Sequence, residues 1–411
     1  MAPKTVSPLD RGRDSNGAES RALFTGEFEY ELCEFWVGCI VPNWSLFVGA
    51  TNENKMTCAR SPYSGVGRLW REGLPENARQ YLWPLALGNE LKITEELFDI
   101  CCKQSRRNSS DIELSSLWQL TSSLLSSMEL DIQRTVDESH LSPTLKGRAN
   151  MKRDMLMVLE AFAQYRPDVG YVQGMTYISA VLLLYLDPAM AFICFVNLVS
   201  QDIFLSFFRF SSKRRDAFLT SIGVIVAAQH ADMSAHLESL GITPDMYMVE
   251  WLVTLFARTL RFECITRLWD CYMLDGVSAI YRATLSVMTV LKPSIMAATS
   301  LEDCLPVLKA GPRSITEAEL FDAYSVVDIN PDDVSYLTKI TGECYSPRPV
   351  EYLSRHGHIS MRVRVRGSIS PKKASPRADD PLRHSSDAAY SVTKMSPSPA
   401  QRVLLSGSQQ Q

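Results

Sequence analysis

Histidine is scarce, with six among 411 residues. His140, His230 and His236 have no partner at a catalytic or metal-ligating spacing, and no G-x-S-x-G segment or paired-carboxylate pattern accompanies them. A hydrolase site of the ordinary kinds is therefore not expected. The phosphate-cradling run G-x-x-x-x-G-K-S/T is absent too. The ten cysteines stand singly except for Cys101-Cys102, and no C-x-x-C pair occurs, which excludes a zinc ribbon or a dithiol site. Reduced thiols in a cytoplasmic protein are the expectation, with Cys194, Cys264 and Cys271 acting as small hydrophobes within apolar runs. Met1 to Asp14 lacks the apolar core of a signal peptide. The most apolar stretch, Tyr177 to Leu198, is interrupted by Asp187-Pro188, so it reads as two buried helices and not a membrane span. Neither end carries a prenylation or myristoylation signal.

Charge of one sign is also in short supply, the net being −4, which argues against nucleic acid as a partner of the whole chain. The charge is unevenly placed. From Ser346 onward there are eleven Lys/Arg against four Asp/Glu, so residues 1–345 carry about −11 by simple difference.

What the chain does have is apolar residues at helical spacing. Met155, Val158, Leu159 and Phe162 recur at i, i+3, i+4 and i+7, and Met248, Trp251, Leu252 and Leu255 repeat that pattern. Thr316-x-x-Glu319 is a capping-box start for a last helix. Sustained strand alternation is missing from the body of the chain, so an all-α fold follows. Residues 1–30 are polar and broken by Pro and Gly, and disorder is expected. Residues 31–64 form an apolar pre-domain segment with Trp36, Trp44 and Phe47, readable as a strap packed on the domain or as a partner-binding segment. A helical domain follows over 65–325, its end over 326–345, and a Ser/Pro-rich basic tail over 346–411 that is expected to be disordered.

Two short segments carry the chemistry. Asp131-Ile132-Gln133-Arg134 and Tyr171-Val172-Gln173-Gly174 contribute one arginine and one glutamine. Taken alone, Asp131 and Arg134 are an ordinary i,i+3 ion pair, and Gln173 is an ordinary loop glutamine. Two further blocks change that reading. An entry block holds Gly73, Pro75, Arg79 and Trp83, and a third block runs through Trp251, Phe256, Trp269, Asp270 and Gly276. The four blocks, in this order between about Gly65 and Tyr324, resemble the TBC domain, the catalytic module of GTPase-activating proteins for Rab-family small GTPases. The run Leu85 to Leu91, continued by Glu96 to Cys101, is similar to the subgroup linked to recycling endosomes and autophagy. The pattern departs from the family at Met128 (usually Ile), at Val136-Asp137 (commonly Phe-Pro) and at Arg261 (usually Pro).

The resemblance implies an all-α TBC-type fold of many helices. It implies Arg134 and Gln173 as catalytic fingers inserted into a GTP-bound Rab, with Asp131 orienting the arginine, Tyr171 bracing the loop and Gly174 allowing close approach of the partner. Trp251, Phe256, Trp269 and Asp270 are expected to hold the core and its helix ends. No cofactor is expected in this chain, because GTP and magnesium would come with the partner. The alternative is a non-catalytic Rab-binding scaffold in membrane trafficking. The basic tail suggests a peripheral contact with anionic endosomal or other trafficking membranes.

Overall fold

The computed structural model describes residues 31–45, 47, 65–111, 116–137, 139–209, 212–327 and 329. The expected disordered ends, 1–30 and 346–411, and nearly all of 326–345, lie outside the described residues. Among those described, sixteen α-helices and no strands occur, so the fold is all-α. In chain order they are α1 (Val66–Arg71), α2 (Glu76–Leu87), α3 (Glu95–Asp111), α4 (Ser116–Asp137), α5 (Ser142–Lys146), α6 (Met151–Tyr165), α7 (Met175–Leu183) and α8 (Pro188–Val199). There follow α9 (Asp202–Phe208), α10 (Ser212–Gln229), α11 (Ala231–Ser239), α12 (Met248–Val253), α13 (Phe262–Asp275), α14 (Val277–Ala297), α15 (Leu301–Ala310) and α16 (Glu317–Val326).

The helices gather around two axes. In the first half α6 lies against α3, α4, α7 and α8; in the second, α14 lies against α10, α11, α13, α15 and α16. The apolar periodicity explains both. Met155, Val158, Leu159 and Phe162 of α6 are all buried, and α14 buries residues from Ser278 to Ile295 on nearly every side, as a central helix must. Asp187 caps α8 by accepting from the N–H groups of Ala189 and Met190, with Pro188 in the first helical position. The apolar stretch is therefore two helices, and no single helix among the described residues is long and apolar enough to cross a membrane. The Thr316 capping box is formed as the sequence predicts. The thiols of Cys194, Cys264 and Cys271 are pushed up to about 12, chiefly by burial, and stay neutral.

A buried carboxylate ties the entry block to the second half. Asp270 of α13 is fully enclosed. It accepts from Arg79 Nη2 at 2.9 Å, from Arg79 Nε at 3.1 Å, from Trp83 Nε1 at 2.8 Å and from the Leu74 backbone N–H at 2.9 Å. Its own carbonyl accepts from Trp70 Nε1 at 2.6 Å. Gly73, at φ 113°, leads the chain out of α1 so that Leu74 can donate. The entry block and the Trp269-Asp270 pair are thus one structure, roughly 190 residues apart in sequence. Burial disfavours the Arg79 guanidinium charge, but the Asp270 carboxylate outweighs that effect and raises its pKa. Pro75 directly precedes α2, which begins at Glu76, one residue later than a proline in the first turn would place it.

The described residues of the pre-domain segment pack on the domain. A π-helical turn over Phe35–Ile40 and a 3₁₀ turn over Val41–Asn43 bring Trp36, Trp44 and Phe47 against Trp70, with ring centroids 5.5, 5.8 and 6.0 Å away. Trp70 is the residue that donates to the Asp270 carbonyl, so the strap shields this junction from water. Gly276 separates α13 from α14 at φ 59° and ψ −139°, a conformation essentially reserved for glycine.

Asp270→Asn should cost about 3–5 kcal/mol, because it removes the charge that compensates a buried guanidinium. Urea denaturation of the full chain measures it. A loss below about 1 kcal/mol would mean that Arg79 reaches water or another anion.

Candidate functional site

Arg134 lies in the last turn of α4. Met128, Ile132, Thr135 and Val136 turn inward at the spacing of one helix face, leaving Arg134 on the outer face with its side chain 54% exposed. The helix runs through Val136 and Asp137, the two positions that differ from the family pattern, and its final carbonyls are satisfied from the next turn. Ser139 donates through its N–H to Arg134 O at 3.0 Å and through Oγ to Thr135 O at 2.5 Å. Ser142 Oγ and Lys146 Nζ both donate to Asp137 O at 3.2 Å. Lys152 Nζ adds bonds to Asp137 Oδ2 at 2.6 Å and to Gln133 Oε1 at 2.8 Å. That ammonium, through its hydrogen bond, holds the Asp137 carboxyl below its usual range. These bonds stiffen the helix end that carries the arginine.

Gln173 sits in the turn between α6 and α7, exposed to solvent. Arg166, before Pro167, is forced out of helical conformation. Its guanidinium grips Asp168 with two bonds, at 2.8 and 3.0 Å, and reaches Ser200 Oγ at 3.2 Å. Arg209 also pairs with Asp168. Gly170 then turns at φ 64° and donates to Arg166 O at 2.8 Å.

Two cross-links set the arginine helix and the glutamine turn side by side. Tyr171 OH donates to Asp131 Oδ2 at 2.8 Å, and Thr135 Oγ1 donates to Thr176 Oγ1 at 2.9 Å. Asp131 shows its other oxygen to Arg134 Nη1 at 3.6 Å, a loose pairing that leaves the guanidinium available. The Tyr171 phenol is held well above its usual pKa, first by burial and then by Asp131, so it remains a donor. Asp131 and Tyr171 thus form one hydrogen-bonded unit. Thr135, Thr176, Arg166, Asp168 and Arg209 join the site without having been singled out. Only Arg166-x-Asp168 left a local trace in the sequence, since the other pairs are about forty residues apart.

Gly174 is crowded from within the chain. It is buried at φ 103°, and a Cβ built on it would lie 2.9 Å from Val253 Cγ1 and 3.4 Å from Thr254 Cγ2. A close approach to Gly174 is made by this chain's own α12. The sequence stripe Met248, Trp251, Leu252, Leu255 also ends earlier than its spacing predicts, because α12 stops at Val253. Leu255 N–H returns to Leu252 O at 3.1 Å and Phe256 N–H to Trp251 O at 2.7 Å, the two bonds of a Schellman cap. Leucine takes the place usual for glycine, so Leu255 and Phe256 are both left-handed, at φ 46° and 60°, at roughly 1–3 kcal/mol each. Complete burial of both side chains offsets that cost. Trp269 Nε1 donates to Leu255 O at 3.1 Å, so the Trp251, Phe256 and Trp269 positions hold a helix end, as expected. Arg261 precedes α13 at φ −68°, the angle that a proline would impose.

The site therefore carries a permanent, forked cation on the arginine helix and a neutral amide on the turn joined to it. The first can stabilise charge on phosphate oxygens, and the second can both donate to and accept from one water.

A family model for the Rab-GTPase-TBC domain matches residues 76–296, more than half of the chain, and the chain belongs to that family. Among similar proteins, TBC1 domain family member 14 of Homo sapiens is 29% identical over 324 residues, covering 77% of this chain and 45% of that protein. TBC1 domain family member 12 of Rattus norvegicus is 31% identical over 304 residues, covering 72% and 41%. The chain thus spans under half the length of these two relatives. The fold matches that of the Chlamydomonas flagellar RabGAP TBC domain, with a TM-score of 0.52 and 18% identity over 73% of this chain and 94% of the other. It also matches the Ypt/Rab-GAP domain of Gyp1p, with a TM-score of 0.50 and 17% identity over 73% and 99%.

His140 lies in the turn after α4, with both ring nitrogens enclosed. Burial first, and then the nearby Arg313 charge, lower its pKa below the ordinary 6.5, against an opposing pull from the Leu260 backbone. Because the unfolded chain protonates first, the stabilisation is complete above about pH 6.5 and drains as the pH falls towards the depressed folded value. The slope for one such proton is at most about 1.4 kcal/mol per pH unit. His230 shifts in the same direction. Urea midpoints of the parent and of His140→Gln between pH 5 and 8 should show a shallower acid fall in the variant; parallel curves would mean that His140 titrates normally.

Proposed function

We propose that this protein is a GTPase-activating protein for a Rab-family GTPase, supplying both fingers in trans. The observation that carries the reading is the pair of cross-links, Tyr171 to Asp131 and Thr135 to Thr176, which ties the helix bearing the exposed Arg134 to the turn bearing the exposed Gln173. A lone exposed arginine would be unremarkable. An arginine and an amide held on adjoining elements are what hydrolysis of a nucleoside triphosphate calls for.

Arg134 enters the partner's nucleotide site and neutralises charge that develops on the γ-phosphate oxygens as the bond to the β-phosphate breaks. Gln173 holds the attacking water in line. GTP and magnesium arrive with the Rab, and this chain contributes no cofactor. Asp131 and Tyr171 act by holding the arginine before the partner arrives, which lowers the ordering entropy left for the encounter. The protein works in the cytoplasm and is recruited to the membranes where its Rab resides, in endosomal or autophagic trafficking. Arg362, Arg364, Arg366, Lys372 and Lys373 of the tail add attraction to anionic lipid, roughly 1 kcal/mol for each cation near the surface.

A panel of purified, GTP-loaded Rabs, each with and without the full chain, tests the reading. Accelerated phosphate release on one or two of them is expected, while GTP-dependent binding without turnover on any would mark a scaffold instead. With a responsive Rab, Arg134→Ala should remove ~10³–10⁵ of the stimulation. Arg134→Lys should rescue little, since an ammonium cannot reproduce the fork.

Gln173→Ala should also abolish most of the stimulation. The sharper measurement uses a Rab whose own catalytic glutamine has been replaced. Continued stimulation by the parent protein is expected, and its complete absence would reduce the mechanism to the arginine alone.

A further inference from the structure

The strained segment after α12 has no evident structural necessity. A helix end needs a left-handed residue, and glycine would supply it freely. Here two large side chains, Leu255 and Phe256, take that conformation together and are fully buried. Strain of this kind persists only where surrounding contacts over-determine it, and it gathers at functional sites. The contacts are specific. Phe256 O accepts from the N–H groups of both Thr259 and Leu260 at 3.0 Å, and Trp269 Nε1 fixes Leu255 O. Thr254 Oγ1 donates back to Glu250 O at 2.9 Å and accepts from Arg258 N–H at 3.3 Å. The segment is therefore a rigid block, and it faces Gly174 of the glutamine turn with Val253, whose Cγ1 lies 2.9 Å from where a Cβ on Gly174 would be, and with Thr254, whose Cγ2 lies 3.4 Å from that point.

Opposite that block the glutamine turn is lightly held. Val172 N–H is paired only with the Met175 sulfur at 3.4 Å, and Met175 N–H returns to Val172 O at 3.1 Å. Gln173 itself is exposed. Tyr171 is anchored before it by Asp131, and Thr176 after it by Thr135, but neither bond limits rotation of the Gln173-Gly174 peptide. Val253 does, because it is the nearer of the two side chains, with Thr254, that close this side of Gly174.

We propose that Val253 is a positioning residue for Gln173, acting through van der Waals contact with Gly174, and that the left-handed Leu255-Phe256 cap exists to hold it there. The assignment rests on the reading of Gln173 as the water-holding finger. It gives the third sequence block a part in the reaction besides core packing: the block forms the back wall of the glutamine turn. Removing the wall leaves partner binding intact and lowers the fraction of encounters in which the amide is in place.

The test uses the full chain with a responsive Rab, and it compares Val253→Ala, the shape-preserving Val253→Thr, and Val253→Ala combined with Gln173→Ala. Val253→Ala should lower kcat by roughly tenfold or more, as misplacement of a catalytic group does, with KM within about twofold of the parent. Val253→Thr should stay close to the parent. In the Gln173→Ala background the loss of Val253 should add nothing, because the group it positions is gone. Hydrogen–deuterium exchange, measured without any GTPase, should quicken over 170–176 in Val253→Ala and stay unchanged in α13. Full additivity in the double variant would overturn the proposal, as would unchanged exchange over 170–176. If Val253→Ala does not fold, Val253→Ile carries the same comparison, pressing on Gly174 instead of releasing it. Should the parent stimulate no Rab, the proposed function fails alone, and the exchange result still decides whether Val253 restrains the turn.

Discussion

One buried carboxylate organises this domain. Asp270 receives a guanidinium, an indole N–H and a backbone N–H from the entry block, while its carbonyl receives a second indole. An ion pair in such a place is weak evidence of net stability, since desolvating both charges offsets much of their attraction. Its effect lies in specificity. A fully enclosed carboxylate with four donors admits very few arrangements of α1, α2 and α13, and the penalty for leaving any donor unpaired falls on every alternative packing. The aromatic strap over Trp70 deepens that penalty by keeping water away. Once α13 is fixed, Trp269 is fixed beside Asp270, and with it the carbonyl of Leu255.

From there the constraint passes towards the site through ordinary contacts. Leu255 belongs to the cap that ends α12, and α12 ends against Gly174. The glutamine turn and the arginine helix are then joined by Tyr171–Asp131 and Thr135–Thr176. Reactive side chains on a rigid frame need little further ordering when a partner arrives, which is where pre-organisation contributes to rate. Arg134 and Gln173 are themselves exposed. The frame holds the backbones on which they stand.

Several motif residues do different work from what their place in a pattern suggests. Gly174 makes room for Val253 of the same chain. Arg261, where the family pattern has proline, keeps a proline-like φ, so the turn survives the exchange. Val136 and Asp137 continue α4, and Ser139, Ser142 and Lys146 supply the donors that finish it. In each case the backbone geometry is kept while the chemistry that enforces it changes.

Much of this was legible along the chain because helices are local objects. Apolar residues three and four apart announced α6, Asp187-Pro188 announced the break before α8, and Thr316-x-x-Glu319 announced the start of α16. The four motif blocks in order were enough to name the family and to point to Arg134 and Gln173. What lay beyond reach was every interaction whose partners are far apart in sequence: Asp270 with Arg79, Thr135 with Thr176, Asp168 with Arg209, Val253 with Gly174. Local periodicity cannot show that α12 stops two residues before its apolar stripe does, because the left-handed pair that stops it is held by Trp269, on another helix. The sequence by itself determined which segments are helical and which side chains are candidates for chemistry, since both follow from spacing and functional group. Only the tertiary structure decided which donors meet the buried Asp270 carboxylate, and which glycine is crowded and by what, since burial and long-range pairing exist only once the chain has closed on itself.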